Sequence, residues 1–372
     1  MRLKNEVKGE RKMKNLCFFS GDITRSGGTE RVAVMIANEL VKTRQMKIEF
    51  LSLVEQSKMP FYHIDDQIER YTLGQEWKNP GPGYLSYLPK LKKYLREHSI
   101  DIIIDIDIVL DCLSIPTAKA THTKVITWEH FNCNFELSVF YRRLIAKYAA
   151  KHSDYIVTLT NRDARCFGEK LGRTEKIGTI YNPMITEGAF TQKAPRENWI
   201  VTAGRLVYQK GIEYLSQVTV PVLQKHPDWK WIILGEGSDR TILEDTIKQY
   251  HLEDRLVLKG QVKDIEEYLR KAKLYVMTSR YEGLPMTLLE AMTYEVPIIS
   301  FDIDTGPDEI IHDGVNGFLI PPFQCEQMVE KIDMLIEDEE LRSQFEKKSK
   351  SEIVKFRIEN IIPKWTKLIS EI

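Results

Sequence analysis

The chain has 372 residues, 42% of them hydrophobic and 29% charged. That length exceeds what one hydrophobic core fills, and the composition is that of a soluble globular protein, which points to two domains and excludes disordered or fibrous chains. No apolar run approaches the roughly 20 residues that cross a bilayer.

The opening MRLKNEVKGERK is charged and has no apolar core, so it is not a secretory signal; residues 1–12 read as a mobile tail before Met13, itself a candidate start. The net charge of −1 hides an asymmetry. Residues 1–182 carry 29 basic and 22 acidic side chains, a balance of +7, and residues 183–372 carry 24 and 32, a balance of −8. Either the first half meets something anionic or two domain surfaces simply differ. Cys17, Cys112, Cys133, Cys166 and Cys325 are scattered singly, so neither a zinc site nor a disulfide framework is expected, and a reducing cytoplasm fits.

In chain order, LCFFSG, KIEFLSL, DIIIDID, KVITWEH and YIVTLT read as strands in the first half, and WIVTAGR, WKWIILGEG, RLVLKGQV, LYVMTSR and VPIISFD in the second. Runs that are apolar on both faces and alternate with helical segments imply parallel sheets with crossover helices. The polar stretch NPMITEGAFTQKAPREN reads as the join. The expected layout is a first domain over 13–182, a linker over 183–198, a second domain over 199–355 and a C-terminal helix over 356–372, with Ile358, Ile361, Trp365 and Leu368 on its packed face.

After the first strand, Gly27 and Gly28 in ITRSGGTERV would let backbone approach a ligand closely. Thr29-Glu30 leads into a helix. TWEHFN places His130 at a strand's carboxyl end, where ligands bind in open α/β sheets, although a lone histidine is more often structural. Asp105-Ile106-Asp107 has no phosphate-binding partner nearby and reads as a strand end with scattered acids.

In the second half, WIVTAGRLVYQKG ends a strand at Gly204, follows it with Arg205, and reaches Lys210 just before a helix starts at Gly211–Ile212. A guanidinium, an ammonium and free backbone N–H groups together suit a diphosphate; solvated surface cations are the plain alternative. Pro221 should kink or end the helix that follows. Gly235-Glu236-Gly237 reads as a tight strand-to-helix turn, with Ser238 or Asp239 as N-cap. SRYEGLPMTLLEAM carries Glu282 in a turn and Glu290 in a helix that Pro285 opens. Eight residues at about 1.5 Å each set the two acids on the order of 12 Å apart, the scale of a sugar and a ribose folded around a diphosphate. Carboxylates accept well from vicinal hydroxyls, and the N–H groups of Gly283–Thr287 would face phosphate between them. The plain alternative is a dipole-complementing Glu282 and a solvated Glu290.

These motifs, with LKGQVKD and GPDEIIHDGVNGFLIPP, occur in the order found in retaining glycosyltransferases of family 4, which the chain resembles from Met13 to its end, more closely in its second half. The resemblance implies an α/β GT-B fold: two doubly wound Rossmann-like domains facing a cleft, with a C-terminal helix able to cross back to the first domain. It also implies that Glu290 binds the ribose of a nucleotide sugar, that Glu282 touches the transferred sugar, and that Arg205 and Lys210 hold the diphosphate. Backbone at Val262 would meet the base, Gly27 and Gly28 would close over the phosphates, and His130 would reach the sugar. Gly204, Gly283, Leu284, Pro285, Met286 and Thr287 complete the implied donor site. No metal or other cofactor is expected, and no nucleic acid as partner.

YLSYLPKLKKYLREH puts Lys90, Lys92, Lys93 and Arg96 beside apolar residues, and SVFYRRLIAKYAAKH repeats the theme. Such helices lie on anionic membranes or pack on a sheet with snorkelling lysines. With the resemblance, they imply a cytoplasmic-face enzyme moving a hexose or N-acetylhexosamine, UDP-linked, onto a lipid-linked saccharide in surface polysaccharide synthesis. Nucleotide-sugar 2-epimerases and non-catalytic GT-B partner subunits share the architecture and stand as alternatives.

Overall fold

A computed structural model of the protein describes residues 13–76, 83–186 and 195–372. The expected tail and much of the expected linker therefore lie outside the described residues.

Thirteen strands form two sheets. The first contains β1 (Lys14–Ser20), β2 (Met46–Ser52), β3 (Glu69–Thr72), β4 (Ile102–Asp105), β5 (Lys124–Trp128), β6 (Tyr155–Thr158) and β7 (Ile177–Thr179), in the order β3-β2-β1-β4-β5-β6-β7. The second contains β8 (Trp199–Ala203), β9 (Lys230–Leu234), β10 (Leu256–Gly260), β11 (Leu274–Met277), β12 (Ile298–Phe301) and β13 (Gly317–Ile320), in the order β10-β9-β8-β11-β12-β13, with every pair parallel. In each sheet the chain first builds outward on one side and then returns to the middle to build the other. The reversal falls between β1 and β4 in the first sheet and between β8 and β11 in the second. Loops leaving the carboxyl ends of such neighbours part in opposite directions and open a crevice, the usual ligand site of doubly wound sheets.

Central strands are buried on both faces. Phe18 pairs with Phe50 on one side and Ile104 on the other, and all three are fully buried. In the second sheet Trp231, Ile233, Val276, Ile299 and Phe301 form a core with Leu215, Val218 and Val222 of the helix Ile212–Lys225. That helix runs through Pro221 instead of stopping there. Proline removes one N–H donor and this one sits on an exposed position, so the packed face holds the helix together. The final helix, Ile358–Glu371, buries Ile358, Ile361, Trp365 and Leu368.

The described chain gathers into two compact units. One holds the residues up to Glu129 together with Leu144–Ile156 and Thr366–Ile372; the other holds His130–Arg143 and Val157–Trp365. The last turns of the final helix thus belong with the first unit, where Lys14 Nζ donates to Ile369 O at 2.6 Å.

One expectation about cysteine is corrected. Cys133 and Cys166 are disulfide-bonded, because the short helix Cys133–Ser138 lies on the helix Asn161–Leu171 with the two Cα atoms 6.2 Å apart. Their separation of 33 residues carries no pairing signal in a sequence of singly placed cysteines.

Candidate active site

The loops that follow β8 and β11, on either side of the second sheet's reversal, carry most of the expected residues. β8 ends at Ala203, and Gly204 turns the chain with a φ of +153°. A Cβ there would stand 3.1 Å from Lys210 Cε, so the lysine stem lies along the glycine. Gly235, at the end of β9, is packed harder: a Cβ would come within 1.9 Å of Gly204 O. Only glycine lets these two strand ends approach.

Lys210 Nζ donates to Glu282 Oε1 at 2.5 Å. Ser279 Oγ donates to the same oxygen at 2.6 Å, and Gln209 Nε2 reaches Tyr281 O at 3.1 Å. The loop after β8 is therefore stitched to the loop after β11 through the two side chains expected to meet the phosphate and the sugar. Arg280 adds a second stitch. Its main-chain N donates to Gln209 O, its guanidinium donates to Tyr208 O and pairs with Glu213, and it lies 3.9 Å from the centre of the Tyr208 ring. Thr278 Oγ1 donates to Lys210 O at 3.1 Å.

Glu290 lies on the helix Met286–Thr293, which follows Pro285 as N-cap. It is 5% exposed and Glu282 is 8% exposed, so neither is the solvated surface acid of the plain alternative. Carboxylates are almost never this buried without partners. Tyr275 on β11 donates its hydroxyl to Ala203 O at 3.2 Å, and burial pushes its phenol well up, opposed by a hydrogen bond from Thr287, with the charges of Glu290 and Glu282 adding to the rise. Leu284 and Pro285 are buried, and Met286 and Thr287 half-buried, at the start of that helix, whose first N–H groups have no intrahelical acceptor.

Arg205 is exposed, with no acidic partner for its guanidinium among the described residues. Val262 is half-buried just past β10, whose last residue Gly260 accepts from Gly235 N at 2.8 Å. The ends of β8, β9 and β10 thus lie together, with Val262 beside them.

His130 comes to the same unit as these loops. A Cβ on Gly283 would stand 2.3 Å from His130 O, and one on Gly306, whose φ is +104°, would stand 2.1 Å from Gly283 O. Three backbones meet there without side chains between them. Asn132 Nδ2 donates to Thr305 Oγ1 at 2.7 Å, and Thr305 Oγ1 to Glu282 O at 2.9 Å. Burial holds the His130 imidazole down to about 3, so it is neutral at physiological pH. Gly27 and Gly28 lie in the other unit. Gly27 is the N-cap of the helix Gly28–Lys42, and a Cβ at Gly28 would meet nothing within 4 Å, so the chain's own packing does not require glycine there.

Sequence reasoning missed the residues that hold the site in shape: Ser279, Arg280, Gln209, Tyr275, Asn132 and Thr305. All but Asn132 lie within three residues of a strand end or a positive-φ glycine, which is the signal that would have found them.

With this geometry in view, comparison with known proteins is direct. Residues 26–187 match the family model described as Glycosyltransferase Family 4, and residues 186–352 match that of Glycosyl transferases group 1. An uncharacterized glycosyltransferase of Haemophilus influenzae is 31% identical over 353 residues, covering 95% of this chain and 99% of that protein. A Campylobacter jejuni protein named as a transferase of N-acetyl-D-galactosamine to a GalNAc-containing diNAcBac-PP-undecaprenol is 24% identical, covering 93% of this chain and 96% of its own. The solved structure of Anabaena HepE in complex with UDP superposes with a TM-score of 0.81 at 19% identity, over 97% of this chain and all of that one. This chain belongs to glycosyltransferase family 4 and has the GT-B fold.

Proposed function

We propose that the protein transfers a hexose or N-acetylhexosamine, with retention of anomeric configuration, from a UDP-sugar to a lipid-linked saccharide during cell-surface polysaccharide synthesis. The observation that carries this reading is the ion pair of Lys210 and Glu282 across the second sheet's reversal, with Glu290 buried on the helix Met286–Thr293 that follows the same loop. UDP bound to HepE and the undecaprenol-linked acceptor in the name of the C. jejuni relative support the choice of base and acceptor.

The difficult step is charge separation, since an oxocarbenium-like sugar forms as the bond from C1 to the diphosphate oxygen breaks. Arg205, Lys210 and the N-terminus of Met286–Thr293 stabilise the departing anion as its charge develops. The acceptor hydroxyl attacks C1 from the face the diphosphate leaves, and its proton passes to a diphosphate oxygen. Glu290 holds the ribose hydroxyls. Glu282 orients the sugar, and neutral His130 offers it a hydrogen bond without adding positive charge. The cations are the chain's own, so turnover is independent of added metal.

We place the enzyme on the cytoplasmic face of the membrane. Among the described residues no helix is long and apolar enough to cross it, so attachment would be peripheral and basic. The helix Leu88–Glu97 buries Leu91, Tyr94 and Leu95, leaving Lys92, Lys93 and Arg96 as a cationic edge, while Lys90 donates to Leu73 O. The helix Phe140–His152 instead exposes Phe140, Tyr141 and Leu144 and carries Arg143, Lys147 and Lys151, which suits an anionic interface better.

A thermal-shift panel of UDP-, GDP- and ADP-sugars tests the donor. A ligand at 100 times its Kd adds about 2.7 kcal/mol of stability, and the expected result is a shift with UDP-sugars alone. Release of UDP from the responding donor, lost in Lys210→Ala, supports transfer. An altered sugar recovered from donor alone would favour the epimerase instead.

A further inference from the structure

Outside the donor site, one aromatic pair stands next to the reacting groups without serving them. Phe135 lies in the first turn of Cys133–Ser138, where Asn132 Oδ1 accepts from the main-chain N of Asn134 and Phe135 at 2.8 and 3.1 Å. Its ring stacks on Tyr281, the neighbour of Glu282, with centroids 4.9 Å apart and planes 10° from parallel. Tyr281 covers one face of the ring, yet 37% of Phe135 remains exposed. The surroundings are polar: Asn134 Nδ2 donates to Asp304 Oδ2 at 2.9 Å, and Lys170 Nζ donates to Asn134 Oδ1 at 2.5 Å, both at the surface.

An exposed ring bordered by amide, carboxylate and ammonium groups matches one ligand chemistry in particular. A pyranose has a face of C–H bonds, which the negative face of an aromatic ring attracts, and a rim of hydroxyls that pair with amides and carboxylates. A lipid tail would use the ring but strip water from the rim without replacing its hydrogen bonds. We propose that Phe135, backed by Tyr281 and rimmed by Asn134 and Asp304, is the subsite for a sugar ring of the acceptor. The proposal rests on the transferase reading and specifies where its second substrate is held. Because Tyr281 and Glu282 are consecutive, a sugar stacked here is positioned by the same turn that positions the donor sugar.

The test titrates methyl glycosides of glucose, galactose, N-acetylglucosamine and N-acetylgalactosamine onto UDP-bound protein, read by saturation-transfer NMR. At least one should saturate the wild type, with the strongest transfer to the C–H protons of one face. Phe135→Ala and Phe135→Leu should weaken that binding by roughly two- to tenfold, the size of an aromatic-pair contribution, and Phe135→Trp should restore it. UDP affinity and melting temperature should stay as in wild type, and Phe135→Leu keeps the apolar bulk should the alanine variant fail to fold. The subsite is wrong if no glycoside saturates the UDP-bound wild type, or if the leucine variant binds as wild type does. It is also wrong if the variants keep the sugar but lose phosphatidylglycerol vesicles, which would mark a lipid contact. Failure of UDP itself to bind is a separate result that removes the donor reading, and this subsite with it.

Discussion

Lys210 Nζ lies 2.5 Å from Glu282 Oε1, joining residues 72 positions apart, with side chains only 19% and 9% exposed. On the proposed reading, this pair holds the cation assigned to the diphosphate beside the acid assigned to the sugar before any substrate arrives. The carboxylate and an incoming diphosphate then compete for one ammonium. Glu282→Gln keeps the shape and the hydrogen bond to Ser279 but ends that competition. We therefore expect it to bind UDP at least as tightly as wild type by calorimetry while losing transfer. Weaker UDP binding in this variant would show that Glu282 supports the nucleotide instead of guarding its cation.

The meeting of backbones at Gly283 gives a second expectation. Gly283→Ala would put a methyl 2.3 Å from His130 O, and neither backbone can retreat, since Gly306 closes the other side. Overpacking of this kind costs about 1–3 kcal/mol. The variant should melt several degrees lower and lose donor turnover, whereas Gly28→Ala, where a Cβ meets nothing within 4 Å, should melt as wild type does.

The pH dependence of stability should carry the mark of two buried acids in the first unit. Asp105 and Asp111 are fully buried, with Ser114 Oγ donating to Asp105 and Thr127 Oγ1 to Asp111 at 2.8 Å. Burial pushes the Asp105 carboxyl up to about 7, and burial plus the charge of Asp105 pushes Asp111 up as well. An unfolded aspartate titrates near 3.9. Between those values the folded protein holds the extra proton, so stability falls as pH rises from about 4 to about 7 and stays lowered above. Asp105→Asn, which cannot ionise, should gain in melting temperature over wild type more at pH 8 than at pH 5. An equal difference at both pH values would mean that the pair is not protonated in the fold.

Membrane attachment separates two helices. Sedimentation with phosphatidylglycerol vesicles should be lost when Phe140, Tyr141 and Leu144 become serine. It should weaken only modestly when Lys90, Lys92, Lys93 and Arg96 become glutamine, because apolar insertion adds to charge attraction only on the helix Phe140–His152. Unchanged sedimentation of both variants would place the contact elsewhere.

How much of this was legible in the sequence follows from burial. Central strands such as LYVM and KWIIL are apolar on both faces and announce themselves, as do the glycine turns that follow them. β3, β7 and β13 were not expected. Each lies at a sheet edge, and ERYT and IGT are short and only partly buried, so they carry no apolar run. The four charged residues of the candidate site could be proposed from sequence because their types and loop positions suit a diphosphate and hydroxyls. Their supports could not. Arg280, Asn132 and Thr305 act through contacts between segments far apart in the chain, and local pattern does not encode those. The Cys133–Cys166 pair was hidden for the same reason.

The most direct measurement of the central claim, that Arg205, Lys210 and Glu290 grip one nucleoside diphosphate, is the calorimetric affinity for UDP of wild type and of the three alanine variants. Each variant removes a hydrogen bond to or from a charged group, worth about 1.5–3 kcal/mol, so each should weaken UDP by one to two orders of magnitude, measured on protein that is folded at the assay temperature. Wild-type affinity in Lys210→Ala and Glu290→Ala would contradict the account outright.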